Sequence, residues 1–238
     1  VFSCITSLVS TSNPKVIMKL SDKTISLLKN FANINQSILI KEGNTLRTIS
    51  VMKNILAEAE IQEEFPIDFA IYDLNAFLNA LSLHKSPDLD FSNETYLTWK
   101  EGHSRGRWFF ADPAVIVSPP EKSIELPSKD VCFVYNSSVH DKLMKASSVY
   151  GVQDLSCIGE NGVVKLVVRD KKNDTSNEYT EVVGETEEKF CFNFKVENMK
   201  LFSGNYDVVV SSKLLSEFTH KTDSIKYYIA LEPDSSHG

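Results

Sequence analysis

Phe65-Pro66-Ile67-Asp68-Phe69-Ala70-Ile71-Tyr72-Asp73-Leu74 alternates apolar and other side chains, then opens onto a helical pattern. Phe190-Cys191-Phe192-Asn193-Phe194-Lys195-Val196-Glu197-Asn198-Met199 does the same 125 positions later. Alternation puts every second side chain on one face of a strand, and Asp73 and Asn198 are the residue types that cap a helix. The same offset pairs Phe77 with Phe202 and Leu83 with Val208. A strand running into an Asx-capped helix, twice, predicts a chain made of two related halves.

Each half carries an earlier helix. Ser21–Ile34 sets Ile25, Leu28 and Phe31 at helical spacing, with Ser21 or Asp22 as N-cap. Ser138–Tyr150 sets Val139, Leu143 and Ala146 likewise and stops at Gly151. The remainder reads as short strands with turn signals, such as Ser37–Ile40 before Glu42-Gly43-Asn44 and Val163–Val168 before Lys172-Asn173-Asp174. Ala111–Ser128 holds four of the eight prolines and no helical period, which predicts an extended connector. The expected organisation is an α+β chain with domains at 18–110 and 129–238, joined by the connector 111–128. Each domain is expected to have antiparallel sheet and two helices. Residues 1–17 read as a non-native or peripheral extension, with Met18 as the start.

The formal charge of −7 argues against a basic nucleic-acid binder taken as a whole. Its distribution is more informative. The polar side of the first helix holds Lys23, Ser26, Lys29, Asn30 and Asn33, with its one carboxylate, Asp22, in the first turn. Asn75, Asn79 and Ser82 follow Asp73 in the second helix, and Lys142, Lys145 and Ser148 follow Asp141 in the third. The short fourth helix offers Lys200. Carboxylates gather elsewhere, at Glu58, Glu60, Glu63 and Glu64 and at Glu185, Glu187 and Glu188. Four such helix faces together would present a neutral to positive surface to a polyanion.

No catalytic motif is present: there is no P-loop, no GxSxG and no HExxH, and the five histidines fall in no triad spacing. No catalytic residue, metal site or cofactor is expected. Cys4, Cys132, Cys157 and Cys191 are far apart and form no CxxC, as in a reduced cytosolic protein. His103 and Asp112 flank the Gly-Arg-rich stretch Gly102–Trp108, which reads as a basic hairpin before it reads as a base-stacking loop. No apolar run approaches a membrane span.

Several blocks resemble the sliding clamps of T-even phages. They are Met18–Asn35 (MKLSDKTISLLKNFANIN), Phe69–Leu78 (FAIYDLNAFL), Ala111-Asp112-Pro113, Phe192-Asn193-Phe194, Asn198-Met199-Lys200, Gly204-Asn205-Tyr206 and Tyr228–His237 (YIALEPDSSH). The likeness is thin over 42–64 and 171–189, and the stretch before Met18 has no counterpart. The resemblance implies the DNA-clamp fold, with sheets outside and helices lining the hole of a homotrimeric ring. It implies a processivity factor that encircles double-stranded DNA without reading sequence. It also implies DNA polymerase and a clamp loader as partners, and the cytoplasm of an infected bacterial host as location. Lys23, Lys29, Lys142, Lys145 and Lys200 are then the expected DNA contacts. Partner tails are expected to dock between the connector residues Val115, Ile116, Val117 and Pro119 and the later residues Tyr228, Ala230, Leu231 and Pro233. An alternative is an interaction scaffold of the same fold that does not encircle DNA.

Overall fold

A computed structural model describes residues 16–238. Three α-helices form: α1 at Asp22–Ile34, α2 at Leu74–Leu81 and α3 at Ser137–Tyr150. In α1 the Ser21 hydroxyl accepts from Thr24 N, and Leu27, Leu28 and Phe31 form the buried face. Glu63, from the expected acidic cluster, reaches over to the same helix start. It accepts from Ser21 N and from the Thr24 hydroxyl, at 2.7 Å for the latter. Burial works to raise the Glu63 pKa, but these donors outweigh it and hold the carboxyl below its usual range. In α3 the chain turns off at Gly151, in the left-handed region at φ 67°, a conformation glycine adopts without a Cβ clash.

The expected fourth helix does not form. Its place is taken by one 3-10 turn, Val196–Asn198, followed by irregular chain to Asn205. The reason is a contact between distant parts of the chain. Asp73 caps α2 by accepting from Ala76 N, whereas the Asn198 side chain accepts from Asn54 Nδ2 at 3.0 Å and caps nothing. Gly204, at φ 153°, then ends the segment after too few residues to propagate a helix.

All strand pairs are antiparallel. Ile17–Met18, Asp88–Asp90, Tyr96–Glu101 and Ser104–Phe109 make a four-stranded sheet in that order. Tyr179–Glu185, Val163–Arg169, Asp154–Glu160, Phe190–Lys195 and Ser236–His237 make a five-stranded one. The largest sheet runs Gly43–Ile49, Ile55–Phe65, Ile225–Ala230, Leu215–His220, Tyr206–Ser211, Val131–Tyr135, so both halves of the chain contribute to it. Its seam pairs Ala59 with Ile225, Ala57 with Tyr227 and Ile55 with Ile229. Ile38–Ile40 and Phe69–Ile71 form a separate pair. Val16 and Ile17, read from sequence as part of a peripheral extension, join the edge of the four-stranded sheet, with Val16 O accepting from Phe91 N at 3.1 Å. The rest of that extension lies outside the described residues.

The helices pack on the sheets through one continuous core that includes Leu28, Phe31, Phe77, Leu143, Phe194 and Tyr227. Gly106 in the Gly-Arg-rich stretch has a packing role. A Cβ there would stand 2.2 Å from Trp99 Cε2, so only glycine lets the indole lie flat against the neighbouring strand. Arg107 stacks over the rings of Tyr96 and Phe109, at 5.3 and 5.0 Å. Asp112 is spent capping the 3-10 turn Pro113–Val115 through Ala114 N at 2.9 Å, which leaves no His103–Asp112 pair.

Candidate functional site

The connector crosses the outer face of the six-stranded sheet, and its backbone is pinned there. Ala111 N donates to Ala70 O at 2.9 Å. The buried Asn35 side chain donates to Val117 O at 3.3 Å and to Ile49 O at 2.9 Å, while its carbonyl oxygen accepts from Ser37 N and Ser37 Oγ. Arg47 Nη1 donates to Pro120 O at 2.8 Å and the same guanidinium pairs with Glu58. Where the chain leaves the connector, Asp130 accepts from Ser128 Oγ and Ser212 N, both at 2.6 Å, and these donors hold its pKa down to about 2.

Between these pins lies a second apolar cluster, apart from the main core. Ile49, Leu56 and Tyr228 are buried in it, and Val117, Ile124 and Leu215 pack on them half-buried. Burial pushes the Tyr228 phenol up to about 12, with Glu217 adding to the shift, so it remains protonated at neutral pH.

The structure thus brings Val117 and Tyr228 together, as the sequence reading expects, with Pro119 half-buried along the same connector. Leu231 belongs to the main core instead. Ile116 is buried, Val115 is 58% exposed, Ala230 is half-buried with its N–H on Asn54 O, and Pro233 is exposed. Ile49, Leu56, Ile124 and Leu215 were missed. The available signal was Ile55-Leu56-Ala57 and Tyr227-Tyr228-Ile229, where consecutive apolar residues break the alternation and mark strands covered on both faces.

Of the five lysines, Lys23, Lys29, Lys142 and Lys145 are exposed and Lys200 is half-exposed. Lys23 pairs with Asp223, and Lys142 Nζ lies 3.1 Å from Glu181 Oε1. Among the described residues no ion pair engages Lys29, Lys145 or Lys200. The 3-10 segment that replaces the fourth helix is nevertheless held against α1. Asn30 Nδ2 donates to Lys200 O at 3.1 Å, the Tyr227 hydroxyl donates to Asn30 Oδ1 at 2.7 Å, and Phe202 N donates to the Tyr227 hydroxyl at 3.0 Å. Lys200 therefore sits beside the polar face of α1, although not on a helix.

Among the described residues no cluster of His, Cys, Asp and Glu could hold a metal ion, and no helix is long and apolar enough to cross a membrane. The sheets and helices together define the DNA-clamp class. The chain matches proliferating cell nuclear antigen from Entamoeba histolytica at a TM-score of 0.67 and 12% identity, covering 91% of this chain and 98% of that one. It matches the beta sliding clamp of Caulobacter crescentus at a TM-score of 0.65 and 12% identity, covering 95% and 67%.

Sequence comparison narrows the class. Residues 19–118 match the family described as DNA polymerase processivity factor. The sliding clamp of Escherichia phage RB69 is 33% identical over 230 residues, covering 92% of this chain and 99% of the relative. That of Enterobacteria phage T4 is 31% identical over 227 residues, again covering 92% and 99%. The chain belongs to the family of phage sliding clamps, the non-enzymatic processivity factors of DNA polymerases in phage replication.

Proposed function

We propose that three copies close head to tail into a ring around duplex DNA, and that the connector cluster receives the polymerase tail and the clamp loader. The observation that carries the ring is the seam inside the chain. There Ile55–Phe65 of the first half is zipped to Ile225–Ala230 of the second. Each half also ends a sheet on a strand in the corresponding position with no partner strand among the described residues. Ser104–Phe109 closes the four-stranded sheet and Tyr179–Glu185 closes the five-stranded one. The first edge carries Arg105 and Arg107, the second Glu181 and Glu185. Both expose an apolar side chain, Phe109 and Val182, each 61% exposed. Edges of opposite charge on one chain favour a heterologous contact, and such contacts make closed rings when the rotation per subunit closes.

On this reading the domains are 18–110 and 129–238 with the connector at 111–128, and the site of action is the cytoplasm of the infected bacterial host. Three copies at −7 each would carry −21, so retention must be topological rather than adhesive. A binder held by 6–10 phosphate contacts would lose about 10³–10⁵ in affinity between 50 and 200 mM salt. Lys29, Lys145 and Lys200 then provide a loose contact inside the hole, with Lys23 and Lys142 shared between DNA and their carboxylate partners. The test is light scattering on the purified chain, followed by retention on nicked circular and linearised DNA after loading. A trimer that persists only on the circle is expected. Equal loss from both forms, or a stable monomer as the non-encircling scaffold requires, would overturn the reading.

A further inference from the structure

The segment after Leu231 runs along the outer edge of the Phe190–Lys195 strand and takes up that edge's hydrogen bonds. Glu232 N donates to Asn193 O at 2.7 Å, Asn193 N donates to Ser235 Oγ at 2.9 Å, and Gly238 N donates to Lys189 O at 2.9 Å. Ser236 and His237 stand opposite Cys191 and Phe190. The contact is nonetheless shallow: only two residue pairs form a ladder, and Pro233, Asp234, Ser236 and His237 are exposed.

Its recognition is carried by polar groups that are themselves buried. The Lys171 side chain, 8% exposed, places Nζ 2.7 Å from Asp234 Oδ1 and 3.8 Å from Glu232 Oε2. Lys171 also holds the Asp234 carboxyl below the usual range. Asn193, 5% exposed, donates from Nδ2 to Asp234 Oδ1 at 3.2 Å. Its Oδ1 accepts from the fully buried Ser156 hydroxyl at 2.7 Å, and that hydroxyl accepts in turn from Arg169 Nε at 3.1 Å. The His237 ring stacks on Phe192 at 5.8 Å.

We propose that this edge is a strand-addition site for an extended acidic peptide of a partner protein, and that residues 232–238 occupy it as a displaceable internal ligand. Here a buried ammonium and an oriented amide read one carboxylate and a stretch of backbone, and any extended segment with an aspartate at that position meets the same groups. The site also adjoins the connector cluster, since Leu231 N bonds Leu214 O and Leu215 belongs to that cluster. A partner strand could thus run from one to the other. The site itself depends neither on ring closure nor on docking at the connector.

The test uses a fluorescent synthetic peptide of residues 234–238 and a chain ending at Pro233, read by anisotropy. The peptide should bind the shortened chain at least about tenfold more tightly than the full chain, and an Asp234→Asn peptide should bind at least about tenfold more weakly. Equal binding to both chains, or no binding to a shortened chain with native circular dichroism, would overturn the proposal. If the shortened chain fails to fold, hydrogen exchange on full-length Lys171→Gln decides. The amides of Ser235–Gly238 should exchange at least about tenfold faster while those of Val208–Val210 keep their rates. Unchanged exchange in the segment would equally overturn it.

Discussion

The Tyr227 hydroxyl donates to Asn30 Oδ1 across 2.7 Å, joining a strand of the second half to a helix of the first. Tyr227 is fully buried, and the same oxygen accepts from Phe202 N, so one phenol serves two elements at once. Lys23 and Asp223 repeat the link about two turns nearer the start of α1.

Tyr227→Phe removes that oxygen and leaves the Phe202 amide and the Asn30 carbonyl without their partner. A buried unsatisfied group costs about 1–3 kcal/mol. Urea unfolding should show a loss of about 2 kcal/mol with little change in the slope.

Lys29→Glu combined with Lys145→Glu alters exposed side chains that make no ion pair among the described residues. Processive synthesis on a primed circle should fall several-fold while light scattering stays unchanged. Arg107→Glu should do the reverse: it puts a carboxylate on the edge that is to meet Glu181 and Glu185, and the assembly should dissociate at micromolar concentration.

Val117→Asp with Ile124→Asp places charge on the half-buried lid of the connector cluster without touching the main core. Calorimetry should show a fall in Tm of only a few degrees. Binding of a polymerase-tail peptide should drop by at least about tenfold, as for loss of an anchoring contact of about 1.4 kcal/mol or more. Retained peptide binding would place the docking site elsewhere.

Asp130 has a depressed pKa in the folded chain, about 2, below the usual unfolded value of about 3.9. Its stabilising effect is therefore complete above about pH 4 and is lost as pH falls through about 2. Thermal melts of Asp130→Asn should lie below those of the parent at pH 7, and the gap should close between pH 4 and pH 2.

How far the sequence was legible depended on whether local chemistry acts locally. Ser21, Asp73 and Gly151 bond within one turn of their own helix, and the sequence placed α1, α2 and α3 within a residue or two. Asn198 looks the same as Asp73 in sequence. Its side chain is claimed by Asn54 from 144 positions away, and the fourth helix is lost with it. The connector cluster was half legible for a similar reason. The connector announces itself by its prolines, and Tyr228 came with the family likeness. Leu56 and Leu215 acquire their place only when the two halves merge into one sheet. Lys23 and Lys142 were read correctly as exposed, but their carboxylate partners lie on distant strands that periodicity cannot reveal.

That merged sheet makes the chain one mechanical body. Five residue pairs of backbone ladder cross its midline, and the phenol–amide link and the Lys23–Asp223 pair brace the same line from the helical side. A protease nick in the connector should therefore leave two fragments that co-migrate and melt in one transition. Under load, such a body bends least at its own middle, and strain passes outward to whatever is joined at its two ends.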